Sequence, residues 1–392
     1  MQDLLIGVVG LGTMGAGIAQ VAIEHDHEVV VHDVDEAAIE RGRRRIADGL
    51  ARRAAKLGLD TDSIEAWVDG RLASLRAAET LALLGAETDV VIEAALEALD
   101  LKRDIFRALD AAAQPDAILA TNTSALPVSA IAAGTARPGR VIGLHFFNPV
   151  PVMPLVEVVV TRATDPGVVE RAVTLVRSWG KTPVRCADSP GFIVNRVNRP
   201  YTLEALAMLE SGVAGVEAID AALREAGFPM GPFELMDLVG IDVNLAAARG
   251  VHAGFTDRDD PLADRFRPSK TQERLVADGR LGRKTGEGFY TYDTRGKATG
   301  PSPAFADPPG APGTDASIVE RVVVAIVAEA CRMATQRTAT ADDIDLALRL
   351  GAGHPIGPFE RLDTLGGESG LRRRLEALSA LGPRFAPLDE DA

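Results

Sequence analysis

The sequence predicts an α/β architecture: a doubly wound, mostly parallel sheet, followed by a duplicated all-α region. Three observations carry this reading. Short apolar, β-branched runs alternate with helical stretches over residues 1–187, the pattern of a parallel sheet. The first run passes directly into a glycine-rich turn and a helix. From Phe192 onward the pattern is helical, and the stretch Ile193 to Gly240 recurs as Ile318 to Gly366.

Leu4 to Val9 is the first strand, followed by Gly10-Leu-Gly12-Thr13-Met14-Gly15 and a helical pattern from Ala16 to Glu24. A second apolar strand, Glu28 to His32, ends in Asp33. This is G-x-G-x-x-G in a strand–turn–helix setting with an acid about 20 residues on, which seats a pyrophosphate on a helix N-terminus. Gly10 permits the tight turn, Gly12 lets phosphate approach the backbone, and Gly15 lets helix and strand pack closely. Asp33 accepts hydrogen bonds from ribose hydroxyls and repels a 2′-phosphate, so the cofactor expected in this Rossmann-type domain is NAD rather than NADP.

The helix Glu36 to Lys56 carries Arg41, Arg43, Arg44, Arg45, Arg52, Arg53 and Lys56. A solvated face paired with Glu36, Glu40 and Asp48 accounts for such a run. So does an anchor for a phosphorylated ligand such as coenzyme A, because nucleotide phosphates require cations. Further strands are expected at Asp89 to Glu93, Ala117 to Thr121 and Val141 to Phe147. Asn122-Thr-Ser124 follows a strand's carboxyl end, where such sheets bind ligands, although a plain loop favours the same residues.

The stretch Val141 to Val160, VIGLHFFNPVPVMPLVEVVV, holds two strand-like runs joined by a link containing Pro149, Pro151 and Pro154. If the second run returns beside the first, His145 meets Glu157. That is a base whose tautomer and orientation are set by an acid, as proton transfer requires. A core histidine and a glutamate on a solvated face is the plainer alternative.

Ser189 and Pro190 mark a helix start, and Pro200 predicts a kink. FPMGPFELMDLVG (Phe228 to Gly240) returns as HPIGPFERLDTLG (His354 to Gly366), implying two helical domains or one pseudo-symmetric domain. The expected division is 1–187 for the nucleotide domain, 188–292 for the first helical copy, 293–316 for a Pro- and Gly-rich linker and 317–380 for the second copy. The last ten residues read as a loose acidic tail.

Composition narrows the function. The chain has 392 residues, 46% hydrophobic and 25% charged, ordinary values for a protein of two or three domains. A net charge of −14 argues against nucleic acid as a partner. No apolar run reaches the roughly 18 to 20 residues that span a bilayer, and MQDLLIGVVG has no basic segment of a secretory signal. Cys186 and Cys331 lie far apart without metal-ligand spacing, so no metal is expected, and reduced thiols in the cytoplasm are.

With these motifs assembled, the sequence resembles the 3-hydroxyacyl-CoA dehydrogenase family along nearly its full length. The matching segments are GLGTMGAGIAQ (Gly10 to Gln20), NTSALP, HFFNPVPVMPLVEVV, DSPGFIVNRV (Asp188 to Val197), GFPMGPFELMDLVG and GRKTGEGFY (Gly282 to Tyr290). The resemblance implies NAD-dependent oxidation of a 3-hydroxyacyl-CoA, with His145 as general base and Glu157 orienting it. It implies that Ser124 and Asn195 hydrogen-bond the substrate's oxygens, with Ser124 also near the cofactor, and that Asn148 lies beside the nicotinamide. Glu97 and Lys102 match residues around the cofactor ribose, Lys284 another cofactor contact, and Lys56 a coenzyme A contact.

Where the family often has a serine that touches coenzyme A, this chain has Gly49. The departure keeps open a dehydrogenase of the same scaffold acting on a substrate without coenzyme A, like relatives that use L-gulonate or carnitine. A non-catalytic crystallin-like member is disfavoured by the intact His145, Glu157, Ser124 and Asn195 set. A 6-phosphogluconate-type enzyme is disfavoured by Asp33. The resemblance also implies that the second helical copy fills the place of a dimer partner's helical domain, leaving a homodimer and a monomer with an internal pseudo-dimer both open.

Overall fold

The computed structural model describes residues 4–305 and 315–388. The chain divides into two compact units, Met1–Asp188 and Ser189–Ala392. Among the described residues no helix is long and apolar enough to cross a membrane.

The first unit is built on one eight-stranded sheet: β1 Ile6–Val9, β2 Val29–His32, β3 Leu75–Ala77, β4 Val90–Glu93, β5 Ile118–Thr121, β6 Val141–Phe146, β7 Leu155–Val160 and β8 Thr182–Ala187. Their order is β3-β2-β1-β4-β5-β6-β7-β8. The helices are α1 Thr13–Glu24, α2 Glu36–Lys56, α3 Thr61–Leu72, α4 Leu81–Glu87, α5 Leu99–Ala112, α6 Val128–Ala132 and α7 Pro166–Ser178. Strands β1, β4 and β5 are buried along their whole length, as expected of central parallel strands covered on both faces. Neighbours run parallel except β6 and β7, which are antiparallel. The reason lies in residues 147–154: a parallel crossover needs about a dozen residues or more, and this link is too short to supply one.

Two strands go beyond the sequence reading. β3 has a single buried residue, and β8 alternates buried with exposed positions and carries Pro183. Both are sheet edges, where proline is tolerated and no continuous apolar run is required. The first helix begins at Thr13, three residues before the expected start, because Gly12 already serves as its N-cap.

The second unit contains α8 Val194–Val197, α9 Arg199–Glu210, α10 Val216–Glu225, α11 Pro232–Val239, α12 Ile241–Thr256, α13 Lys270–Ala277, a hairpin of β9 Tyr290–Tyr292 and β10 Ala298–Pro301, then α14 Asp315–Thr335, α15 Ala341–Ala352, α16 Pro358–Thr364 and α17 Gly367–Leu378. The helical run breaks just before Pro200: α8 ends at Val197, Asn198 caps both helices, and Pro200 stands in the first turn of α9, where a missing N–H costs nothing. Part of the expected linker is folded: β10 pairs with β9, and Asp293 accepts from the amides of Arg295 and Lys297 to close the turn. Residues 306–314 of that linker lie outside the described residues. The expected loose tail is packed through residue 388, with Phe385 fully buried and Arg384 Nε 2.6 Å from Glu204 Oε2, while residues 389–392 lie outside the described residues.

The repeat is reproduced in atomic detail. Asp220 accepts from Phe233 N and Glu234 N, and its counterpart Asp345 accepts from Phe359 N and Glu360 N. Each copy needs glycine at the turn: a Cβ at Gly231 would stand 2.2 Å from Asp220 Cγ, and one at Gly357 2.1 Å from Asp345 Cγ. The copies are joined crosswise. Arg196 of the first pairs with Glu329 of the second at 2.6 Å, while Arg321 of the second pairs with Glu204 of the first. Position 196 corresponds to 321 and 204 to 329 in the repeat, so the two contacts are one contact made twice, the signature of a two-fold arrangement. Both glutamates are buried and each holds a second arginine, Arg384 on Glu204 and Arg265 on Glu329.

Candidate active site

The glycine-rich turn is shaped by close approaches that only glycine allows. Gly10 has φ of +87°, and a Cβ there would lie 2.8 Å from Ala94 O. At Gly15 a Cβ would lie 1.8 Å from Gly10 O, whereas nothing stands within 4 Å of the Cβ position of Gly12. Helix α1 starts without a side-chain cap and without an acid in its first turn, so its leading amides at Thr13 and Met14 suit an anion. Asp33, at the end of β2, accepts from Leu11 N and Val34 N, both at 2.7 Å, which fixes its carboxylate beside the turn. These residues fit the pyrophosphate and ribose of NAD.

Next along the sheet, a carboxylate closes β4. Glu93 is fully buried, and its Oε1 accepts from Lys102 Nζ at 2.6 Å and Ala95 N at 2.7 Å while Oε2 accepts from Thr121 Oγ1 at 2.7 Å. Lys102 is therefore a buried ion-pair partner, with Glu97 3.4 Å away on its other side. Glu97 Oε1 accepts from Thr123 Oγ1 at 2.6 Å and from the amides of Ser124 and Ala125 at 2.9 and 3.1 Å. Burial pushes the Glu97 carboxyl up, but Thr123, the Lys102 ammonium and the two amides together hold it below the usual glutamate range. Ser124 is thus set by Glu97 at the carboxyl end of β5. Asn122 Oδ1 accepts from Phe146 N at 2.9 Å and ties that end to β6.

His145 and Glu157 stand directly opposite each other in the β6/β7 ladder. Both are buried, and His145 Nδ1 lies 2.6 Å from Glu157 Oε2. The antiparallel return that the proline-rich link imposes is what brings them together. With Nδ1 donating to the carboxylate, Nε2 is the ring nitrogen that can exchange a proton. The Phe147 ring packs 4.5 Å from the imidazole, centroid to centroid. Asn148 follows, exposed at the start of the crossing.

A cavity of about 600 Å³ opens between α1, α2 and this crossing, with Asn148, Gly49 and Lys56 all on its wall. Arg45, Arg52, Arg53 and Lys56 outnumber its two carboxylates, Glu24 and Asp48, which makes it a cationic site in an acidic protein; Lys181 lies on the same wall. A Cβ at Gly49 would meet Gln20 Oε1 at 1.9 Å. Gln20 is the far end of a flexible side chain held by Glu24, so it fills the space beside the missing serine.

Asn195 lies on α8 and Lys284 in the KTGEGF turn, both in the second unit. Lys284 Nζ pairs there with Asp242 at 2.6 and 2.7 Å. Sequence reasoning gives no role to Glu93 or Lys181, and of the two only Glu93 leaves a signal, a carboxylate ending the apolar run VVIE.

Comparison with known proteins agrees with this geometry. Residues 5–189 match the 3-hydroxyacyl-CoA dehydrogenase NAD-binding domain, and residues 191–292 and again 318–386 match the C-terminal domain of the same family. Over 288 residues the chain is 48% identical to 3-hydroxyadipyl-CoA dehydrogenase of Escherichia coli, covering 73% of this chain and 58% of that relative, less than two thirds of its length. It is 44% identical to the mitochondrial hydroxyacyl-coenzyme A dehydrogenase of Rattus norvegicus, covering 73% of this chain and 90% of that one. The crystal structure of 3-hydroxybutyryl-CoA dehydrogenase from Escherichia coli superposes with a TM-score of 0.86 at 35% identity, covering 100% of this chain and 98% of the other.

Proposed function

Because the chain belongs to the 3-hydroxyacyl-CoA dehydrogenase family, we propose that it interconverts (3S)-3-hydroxyacyl-CoA and 3-oxoacyl-CoA with NAD. It is an NAD-dependent dehydrogenase of this family, and the family resemblance, together with the His145–Glu157 geometry, supports the following division of labour among its residues. NAD, when bound, supplies the hydride acceptor for C3 of the substrate. His145 Nε2 takes the proton of the 3-hydroxyl as that hydride leaves, and Glu157 stabilises the imidazolium that forms. Ser124, set by Glu97, and Asn195 hold the substrate's oxygens. Asn148 flanks the nicotinamide, and Lys284 and the Glu97/Lys102 group serve the cofactor side.

The observation that carries this reading is the 2.6 Å contact between buried His145 and Glu157 on adjacent strands. Coenzyme A as carrier is supported by the cationic cavity at Lys56, where Arg45, Arg52 and Arg53 supply charge that the absent serine at Gly49 does not. The crosswise Arg–Glu pairs support a helical unit in which the second copy stands in for a partner's domain. A cytoplasmic setting suits the buried thiols of Cys186 and Cys331.

The test is NADH oxidation with acetoacetyl-CoA, run beside free acetoacetate and beside NADPH. Turnover that requires both NADH and the CoA ester is the expected result. Turnover of the free acid in place of the ester would move the substrate class to hydroxy acids without coenzyme A.

A further inference from the structure

The crossing between β6 and β7 contains three prolines, and each brings a carbonyl acceptor without an N–H donor. Its backbone oxygens outnumber its own N–H groups, so some must be satisfied from elsewhere. Pro149 O accepts from Val152 N and Met153 N at 2.9 and 3.0 Å, and Pro154 O accepts from Thr182 N at 2.7 Å. The oxygens of Val150 and Met153 both go to one side chain: Lys181 Nζ stands 2.6 Å from the first and 2.9 Å from the second.

Lys181 is 8% exposed, and the acceptors holding it are neutral carbonyls rather than a carboxylate. A buried ammonium is costly unless its surroundings compensate, so an apolar side chain would serve better if the position merely needed filling. Burial lowers its pKa, and in either protonation state the amine keeps two N–H groups for these two oxygens. Its own backbone is anchored, since it immediately precedes β8, whose pairing with β7 begins at Thr182 opposite Leu155.

We infer that Lys181 is a positioning residue for the redox step: it clamps the crossing in the shape that sets Asn148 against the nicotinamide. The inference rests on the reading of Asn148 given above. Loss of the clamp leaves the β6/β7 ladder in place, with His145 still opposite Glu157, and lets the crossing relax between its ends.

The test compares full-length Lys181→Met, which keeps the length and loses the donors, with Lys181→Arg, which keeps donors, and with the wild type. Thermal unfolding, the NADH dissociation constant, kcat and KM with acetoacetyl-CoA, and the isotope effect with NADH deuterated at the transferred position are measured on each. A misplacement on the order of 1 Å lowers kcat of Lys181→Met by about ten- to a hundredfold, raises the NADH dissociation constant severalfold and enlarges the isotope effect, with KM for acetoacetyl-CoA unchanged. Lys181→Arg recovers much of the loss. A wild-type kcat and isotope effect in Lys181→Met overturns the inference. So does a loss confined to KM for acetoacetyl-CoA, which would make Lys181 a cation for the cavity's ligand. A loss that tracks the unfolded fraction overturns it as well. Should Lys181→Met not fold, Lys181→Gln is judged on the same criteria. If the wild type itself leaves acetoacetyl-CoA unreduced, the proposed reaction fails separately, and an unchanged NADH dissociation constant in Lys181→Met overturns the clamp.

Discussion

Replacing Glu157 by Gln separates orientation from charge in the dyad. The carboxamide oxygen can still accept from His145 Nδ1, so the ring keeps its tautomer, but the negative charge facing the imidazolium is gone. The pair is buried at 2.6 Å, which makes water a poor substitute for that charge. Two opposite charges about 4 Å apart interact by about 4 kcal/mol at an effective dielectric of about 20, which sets the scale of what the transition state loses. At about 1.4 kcal/mol per decade, the loss in kcat is on the order of a hundred- to a thousandfold. The assay is NADH oxidation at saturating acetoacetyl-CoA, with NADH binding followed by fluorescence as a control. Binding should be unchanged. A kcat within threefold of wild type, with folding intact, would refute the role given to the carboxylate.

Other outcomes follow from the same structure. His145→Ala should abolish most turnover while leaving NAD binding intact; loss of NAD binding would instead mark a structural histidine. Lys56→Ala should raise KM for acetoacetyl-CoA by about tenfold at constant kcat, the worth of one charge-assisted hydrogen bond of about 1.5 kcal/mol. Gly49→Ser should fold, because the Gln20 amide can turn aside, and should lower that KM. Glu329→Gln leaves Arg196 and Arg265 buried against an amide and should cost about 3–5 kcal/mol in urea unfolding. Burial lowers the pKa of His354 to about 3, so its unfolded form binds the proton first and the contribution of the neutral ring is lost as pH falls from about 6.5 toward 3. The slope reaches about 1.4 kcal/mol per pH unit, and His354→Phe should remove it. Asp220, pushed up to about 7 by burial, acts in the opposite sense, losing stability as pH rises from about 4 to 7. The measurement is therefore the difference between variant and wild type across that range.

What the sequence revealed depended on whether a constraint was local. The buried strands β1, β2 and β4 to β7 are continuous apolar runs, so they could be read directly, whereas β3 and β8 earn their place only by pairing with a neighbour. His145 and Glu157 were legible as a pair because a short proline-rich link leaves the second strand no course but to return. Lys102 shows the opposite case. The family resemblance implies a place for it near the cofactor, but the buried carboxylate of Glu93 that holds it comes from a different element, and no spacing announces that contact. Lys181 is silent for a further reason, since a side chain that bonds to backbone oxygens requires no particular residue type on the other side. The stretch 293–316 misled in a simple way: glycine and proline mark turns as readily as linkers, and here part of them closes a hairpin.

The crosswise pairs of Arg196 with Glu329 and Arg321 with Glu204 have a consequence for how such a protein can change. In an assembly of two identical chains, one altered codon strikes both sides of the axis at once, and neither half can drift without the other. Tethering both halves in one polypeptide replaces a concentration-dependent encounter by an internal one at about millimolar effective concentration. It also frees each half to vary separately. Asp220 already differs from its counterpart in this way: it receives the hydroxyl of Tyr290 at 2.8 Å in addition to the two amides it shares in kind with Asp345. Glu204→Gln and Glu329→Gln, equivalent under the repeat, are thus free to carry unequal costs, and their ratio measures how far the two halves have diverged.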